Sequence, residues 1–354
     1  MKNKSFLLSV FYAVSILFSL LIAFNYFFDS YGFFKKNRTI DDAARAIANQ
    51  RSITGLQNYD ERIFQKKVFQ NFLQKPKCIV LGSSRSMMIE SKMVPHNRGF
   101  FNHSVSGASI EDHMAIIALY EKNKALPNKV ILSVDPWLFN KNNNQTRWKS
   151  LKNEYEYALL ALSHAPTKKA AENNDKNIYW QLINYENTKN NLLNFQNTLH
   201  DKNTLKIISD EDVDAMIKRG DGSIAYPFKI RHQNDTETLK LAKSYCSAPI
   251  YSVENFNELS NTSLFEQLIT HLQNNGVEVV LFLPPYHPIA YRYFLNHPKY
   301  KYVLEAETYL QTLSHKQNIP LFGSYNPDLY GLTSTDFTDG MHAKTSALQK
   351  ILQK

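Results

Sequence analysis

The sequence predicts an α/β protein: a parallel sheet with helices on both faces, a mostly helical insertion and one amino-terminal membrane helix. Three observations predict it. Short apolar runs rich in β-branched residues alternate with helical patterns, the rhythm of a parallel sheet built from crossover units. That rhythm stops between residues 139 and 252, where the chain turns polar and rich in Asn and Lys. A long uncharged run lies near the start.

Residues 5–28 carry no charge, and at 1.5 Å per residue such a run crosses a hydrocarbon core about 30 Å thick. A cleaved signal peptide has a shorter apolar region and a small-residue cleavage site, whereas Asn25, Tyr26, Phe27 and Phe28 end this run. An uncleaved anchor is therefore expected. Lys2 and Lys4 precede the span, and Lys35, Lys36 and Arg38 follow it among Asp29, Asp41 and Asp42, so charge leaves the orientation open. Tyr26, Phe27, Phe28, Tyr31, Phe33 and Phe34 form the aromatic belt expected where a helix leaves a membrane. Residues 29–75 read as amphipathic helix and loop, either a stalk or a first layer packed on the body, and residues 76–354 as the body.

Within the body, Lys77-Cys78-Ile79-Val80-Leu81 reads as a buried strand closed by Gly82-Ser83-Ser84. Further strands are expected at residues 99–102, 129–134, 277–283 and 319–322. Helices are expected at 110–123, 253–275 and 343–354. The insertion, about residues 140–252, is expected to cover the sheet edge with helical pieces at 153–163 and 210–219 and a Gly-Asp-Gly turn at 220–222.

Composition excludes several classes. The chain has 354 residues, 11 Gly, 13 Pro and 2 Cys, which rules out collagen-like, low-complexity and disulfide-framework proteins. A mean hydropathy of -0.39 rules out a polytopic membrane protein. The net charge of +9 is scattered through Lys/Asn-rich loops, with no basic stripe and no nucleic-acid motif, so a surface near anionic lipid or polymer is the better expectation than a nucleic-acid partner. Cys78 reads as an apolar filler, and its pairing with Cys246 stays open.

In an open parallel sheet, reactive groups collect beyond the carboxyl ends of the strands. Gly82-Ser83-Ser84-Arg85-Ser86 is a small-residue turn after a strand and before an expected helix; it either caps that helix or exposes a serine hydroxyl beside backbone N–H groups. Asp339-Gly340-Met341-His342 brings a carboxylate and an imidazole onto one loop, as a cap or as an acid–base pair in which Asp339 holds Nδ1 and Nε2 faces a hydroxyl. His96, His103, His113 and His287 lack ligand spacing, so no metal site is expected. Tyr286 and His287, in Leu283-Pro-Pro-Tyr-His-Pro288, either line a groove or form a rigid strand exit. Trp137 and Trp148 read as core more readily than as sugar platforms.

Together these loops resemble the SGNH/GDSL hydrolase superfamily over about residues 76–354, the insertion excepted. Gly82-Ser83-Ser84 is similar to its nucleophile block, with Ser83 in place of Asp. Asn102-His103-Ser104-Val105-Ser106-Gly107 is similar to the second block, and Asp339-x-x-His342 matches the last. The third block departs: Val134 stands where the family has the oxyanion-hole Asn, with Asp135 at the following Asp. The resemblance implies Ser84 as nucleophile, His342 as base, Asp339 as its orienting acid, an oxyanion hole from the N–H groups of Ser84 and Gly107, and no cofactor. Arg85, Asn102, Asp135, Tyr286 and His287 are candidate lining residues, and Arg85 or an insertion residue is the candidate substitute for the missing donor.

The anchor, the Gly-Ser-Ser start, Asp135-Pro136 and the large insertion resemble the members that accompany membrane-bound O-acyltransferases in alginate O-acetylation and teichoic acid D-alanylation. This implies a single-pass protein of a bacterial cytoplasmic membrane with its body on the periplasmic or extracellular side. It implies an O-acyltransferase or acyl esterase acting on an envelope polysaccharide. The rival from another class is a non-catalytic protein that binds glycan or an acyltransferase, which Val134 favours. A plain lipolytic esterase predicts an open apolar groove, which the polar insertion does not suggest.

Overall fold

The computed structural model describes residues 2–29, 38–57, 59–95, 99–163, 178–185, 187–189, 191–192, 195, 205–247 and 249–353. Tyr31, Phe33, Phe34, Lys35, Lys36 and His96 lie outside the described residues. The first helix, α1 (Lys2–Phe27), contains a span, Phe6–Phe27, long and apolar enough to cross a membrane, and its most apolar stretch is not buried in the protein. At its end the polar Asn25 is fully buried. Its Nδ2 donates to the Leu182 carbonyl and to Thr188 Oγ1, both at 2.7 Å, and its Oδ1 accepts from Asn191 at 3.0 Å. The residue that closes the apolar run is thus tied to a piece of the insertion.

Of the two readings of the segment after α1, its described residues form a layer packed on the body. It forms α2 (Arg38–Ala48), β1 (Ser52–Thr54) and α3 (Glu61–Asn71). Asp60 caps α3 by accepting from the N–H groups of Arg62 and Ile63. Ile40, Ile47, Ile53, Phe64 and Val68 pack into one apolar cluster with Phe101.

The main sheet begins with β2 (Cys78–Leu81) and β3 (Phe100–Asn102), followed by α4 (Ile110–Lys122), β4 (Lys129–Ser133) and α5 (Lys152–Leu162). The insertion then supplies β5 (Lys206–Ile208), β6 (Ile217–Lys218), β7 (Ile224–Ala225) and α6 (Asp235–Ser247). The chain returns through α7 (Thr262–Asn274), β8 (Glu278–Leu283), α8 (Pro288–Asn296), α9 (Lys301–Gln317), β9 (Leu321–Gly323) and α10 (Thr345–Leu352).

The order of the main sheet is β3-β2-β4-β8-β9, every pair parallel. Numbered by chain position this is 2-1-3-4-5, one of the two common orders of doubly wound sheets, with the crevice where the order reverses, at β2 and β4. Alternate strand residues enter separate cores. Ile79, Leu81, Val130, Leu132, Val279 and Leu281 pack with α4, α7 and α9 on one face, while Val80, Ile131, Val280 and Phe282 pack with α10 and residues 87–94 on the other. Burial on both faces is why these strands read as continuous apolar runs. Cys78 belongs to the second core and Cys246 packs against the first, so the two free thiols lie on opposite sides of the sheet.

The insertion departs from its mostly helical reading. Residues 210–219, expected as helix, are irregular with bends at 213–215 and contain β6, which pairs with β1 and turns through 220–222 into β7. With β5 these strands make a small antiparallel sheet, β5-β1-β6-β7. The run Asp210-Glu-Asp-Val-Asp has no apolar stripe to bury, whereas β1 offers a ladder partner. The hairpin covers the sheet edge at β3: Asn102 N–H donates to the Asp221 carbonyl at 2.8 Å. The helix expected at 253–275 starts only at Thr262, because Val253 and Phe256 are core residues in turns and Asn261 takes left-handed backbone at φ 60°.

His103 and His113 are fully buried, His103 between Gln65 Oε1 at 2.8 Å and Tyr120 Oη at 2.7 Å. Burial pushes the His103 imidazole down to about 3 and His113 to about 4. The unfolded chain binds these protons near pH 6.5, so it holds more protons than the folded chain below that pH. Stability is therefore complete above pH 6.5 and falls toward pH 4, at about 1.4 kcal/mol per pH unit for each residue. Urea midpoints measured from pH 7 to 4.5 are expected to drop accordingly, and a flat profile contradicts the assignment. His113→Leu removes two buried ring nitrogens that lack partners; it is expected to keep or raise stability at pH 7 and to flatten the slope.

Candidate functional site

The loop after β2 turns sharply because Gly82 permits a close approach. A Cβ there would lie 2.2 Å from Ser86 Oγ and 2.5 Å from Ser133 Cβ. Ser86 N–H donates to the Ser83 carbonyl at 3.1 Å, and Arg85 N–H to Ser83 Oγ at 3.1 Å. Turns continue to residue 88, with no α-helix. The helix expected directly after Ser84 is therefore absent.

The loop before α10 is closed by a bridge between Phe337 and Ala343. Asp339 Oδ1 accepts from the N–H groups of Met341 and His342, both at 2.8 Å, while Oδ2 meets His342 Nδ1 at 2.7 Å. One carboxylate thus shapes the loop and fixes the ring. Burial raises the Asp339 carboxyl, but the hydrogen bond and charge of His342 and the two N–H groups outweigh it and hold it below the usual range. The other ring nitrogen, Nε2, lies 2.9 Å from Ser84 Oγ. The structure brings Ser84, His342 and Asp339 into one hydrogen-bonded chain.

Arg85 does not face the site. It is fully buried beneath the loop, its Nη1 on Asp135 Oδ1 at 2.9 Å, its Nε on the Met341 carbonyl at 3.0 Å and its Nη2 on the Pro284 carbonyl. Its guanidinium stacks 3.8 Å from the Tyr286 ring centroid. Asp135 is buried with it; burial pushes its carboxyl up and Arg85 pulls it back. These two residues tie the ends of β2, β4 and β8 to the His342 loop, so neither lines a substrate space.

The remaining candidates also prove structural. Asn102 Nδ2 donates to the carbonyls of Ser86, Met87 and Ile89, and its Oδ1 accepts from Ser104 N–H, stapling the first loop to the second. Tyr286 is buried against Arg85, and burial holds its hydroxyl well above the usual tyrosine range. His287 caps α8 through Ile289 N–H at 3.1 Å and meets Ser334 Oγ at 2.9 Å; burial pushes its imidazole down to about 4. This is the rigid strand exit, not a groove wall. Trp137 is core, its indole N–H on the Ala108 carbonyl at 3.0 Å, and Trp148 packs edge-on against Tyr155.

Gly107 takes φ +54°, and a Cβ on it would lie 2.1 Å from Tyr251 Oη and 2.3 Å from Arg147 Nη2. The left-handed backbone favours glycine there. Among the described residues, the N–H groups of Ser84 and Gly107 have no acceptor. Val134 is core, its N–H on the Phe282 carbonyl and its carbonyl accepting from Tyr325 Oη. No side-chain donor stands at that position.

Ser84 opens onto a cavity of about 180 Å³ whose wall is the small sheet. Ile53, Thr54, Lys218, Ile224 and Tyr226 line it from β1, β6, β7 and the residue after β7, with Leu56, Tyr59, Glu61, Met87, Ser106 and Met216. Gly107 is not among the lining residues. A neighbouring cleft of about 540 Å³ shares Leu56, Tyr59, Glu61, Ser106 and Met216 with it and adds Gln57, Asp60, Arg62 and Arg147. Sequence reasoning missed Tyr59, Glu61, Lys218 and Tyr226. The one available signal was the Gly-Asp-Gly turn at 220–222, which follows Ile217, Lys218 and Arg219 as the turn of a hairpin would. Among the described residues no three His, Cys, Asp or Glu side chains group to hold a metal ion.

Removing one partner of a buried ion pair strands the other charge, at a cost of about 3–5 kcal/mol. Arg85→Met is expected to lower unfolding free energy by about that amount in urea denaturation, and Asp135→Leu likewise. The double variant is expected to recover most of the loss. Additive losses would show that the two residues do not act as a pair.

The model of a family described as "Protein of unknown function (DUF1574)" matches residues 38–353. No curated protein matches the chain.

Proposed function

The chain belongs to the DUF1574 family, and we propose that it is a membrane-anchored serine acyl-ester enzyme, an O-acyltransferase or acyl esterase of a cell-envelope polysaccharide. One observation carries this reading: Asp339, His342 and Ser84 form a chain of contacts at 2.7 and 2.9 Å that opens on a cavity. Support comes from the placement of the SGNH-like blocks: Gly82-Ser83-Ser84 follows β2, at the point where the sheet order reverses, and residues 102–107 follow the adjacent edge strand β3.

In this reading His342 Nε2 takes the Ser84 proton as Oγ attacks an acyl carbonyl. Asp339 keeps the proton of Nδ1 in place and stabilises the imidazolium. The free N–H groups of Ser84 and Gly107 receive the oxyanion. His342 then returns its proton to the leaving group, and a glycan hydroxyl or water, deprotonated in turn by His342, accepts the acyl group. The chemistry calls for no cofactor. The apolar side of the cavity suits a small acyl group, and the polar cleft beside it suits a glycan. The body works outside the cytoplasmic membrane beside a membrane-bound O-acyltransferase, tethered by α1.

Val134 favours a second reading, in which the protein keeps the fold and binds glycan or an acyltransferase without catalysis. Losing one oxyanion donor typically costs about 2.7–4 kcal/mol in the transition state, and Arg85 is occupied elsewhere.

A serine-reactive fluorophosphonate is expected to label the protein. Ser84→Ala should abolish labelling, and His342→Gln should slow it by about 10⁶-fold, the scale of losing the base of a triad. Labelling that survives Ser84→Ala refutes the nucleophile, and unlabelled wild type favours the binding protein. Alkaline phosphatase fused after residue 75 is expected to be active; activity only from a cytoplasmic reporter there would reverse the topology.

A further inference from the structure

The cavity beside Ser84 is rich in hydrogen-bond donors that nothing in the protein uses. Lys218, on β6, is 8% exposed and lines it. An ammonium carries three donors and no acceptor, yet among the described residues Nζ has no hydrogen-bond partner. It faces the Phe64 ring, 5.3 Å from the centroid, which offsets burial only in part. Glu61 is the opposite charge that acts on it. That carboxylate already accepts from Ser106 N–H and Oγ and lies 3.7 Å from Arg62.

Tyr59 and Tyr226 line the same cavity, and among the described residues their hydroxyls also lack partners. Burial, reinforced by the charge of Glu61 on Tyr59 and of Asp339 and Glu61 on Tyr226, holds both hydroxyls well above the usual tyrosine range, so they remain O–H donors. Burial also lowers the Lys218 pKa against the pull of Glu61. A buried cation whose opposite charge, Glu61, is already engaged by Ser106 and Arg62 is costly in a finished core. It is suited to a space that an anion completes.

We propose that this cavity binds an anionic group, a carboxylate or a phosphate, carried by the substrate and held by Lys218 with Tyr59 and Tyr226. The proposal rests on the acyl-transfer reading for the word substrate; the anion site itself does not require Ser84 to react. It makes the enzyme selective for acidic esters or acidic acceptors over neutral ones. Lys218 acts here as a specificity residue, and the small sheet is the element that delivers it.

Isothermal titration of full-length Ser84→Ala protein in nanodiscs tests this, with monomethyl succinate, neutral dimethyl succinate and inorganic phosphate as probes. Monomethyl succinate or phosphate is expected to bind at least tenfold tighter than the diester; which of the two binds separates a carboxylate from a phosphate. Lys218→Met is expected to erase the preference and Lys218→Arg to retain part of it. Equal binding of mono- and diester, no binding of either anion, or an unchanged preference in a folded Lys218→Met protein overturns the proposal. The comparison of mono- and diester needs no Lys218 variant, so a misfolded one does not remove the test. Fluorophosphonate labelling of the parent protein is read in parallel. Labelling without anion binding refutes the site and keeps the nucleophile, and Lys218-dependent binding without labelling does the reverse.

Discussion

Arg85 has no solvent exposure, and its guanidinium is divided among three segments that leave the sheet at different points. It bonds Asp135 beyond β4, the Pro284 carbonyl beyond β8 and the Met341 carbonyl beside His342. Ser84 is its neighbour in sequence, so whatever holds Arg85 also places the serine. A planar fork with five donors can bridge three acceptors in fixed directions, which a lysine cannot do. Ser84 and His342 are 258 residues apart in the chain and 2.9 Å apart in space. The buried pair of Arg85 and Asp135 is the connection that converts the first into the second. Such pairs seldom add stability over apolar packing; this one fixes geometry.

A second layer of polar contacts sets the neighbouring loop. Arg62 from α3 bonds Asp112 of α4 through Nε and Nη2, both at 2.9 Å, and the Ser106 carbonyl at 3.0 Å. Glu61 binds Ser106 from the same helix. Residues 38–75 therefore position the site, and β1 carries the small sheet that walls the cavity. A substitution in what reads as a stalk acts on Ser106 and Lys218.

Legibility in the sequence followed the range of the interaction. The five parallel strands were legible because burial on both faces demands continuous apolar runs. The loops of Ser84 and of Asp339 and His342 were legible as a strand-exit turn and a four-residue pattern, each equally suited to capping a helix, and only the resemblance of the blocks taken together singled out the three residues. The small sheet was not: strands of two and three residues have no periodicity to detect, and Ile53 meets Lys218 only by long-range pairing. Arg85, Asn102 and Asp135 were located at the right loops but given the wrong direction. A polar residue after a strand looks the same in sequence whether it points up into a cleft or down between loops.

The sequence by itself determined the alternation of strands and helices, the uncharged run at the amino terminus and the two loops that carry Ser84 and the Asp339–His342 pair. Each depends on hydrophobic period or on hydrogen bonds within a few residues. The tertiary structure alone decided that Ser84 Oγ faces His342 Nε2, that Arg85 is buried structure, and that Lys218 with Tyr59 and Tyr226 leaves unused donors around the serine. Those outcomes depend on which distant segments share a buried space. There the cost of an unsatisfied polar group, not local propensity, selects the partner.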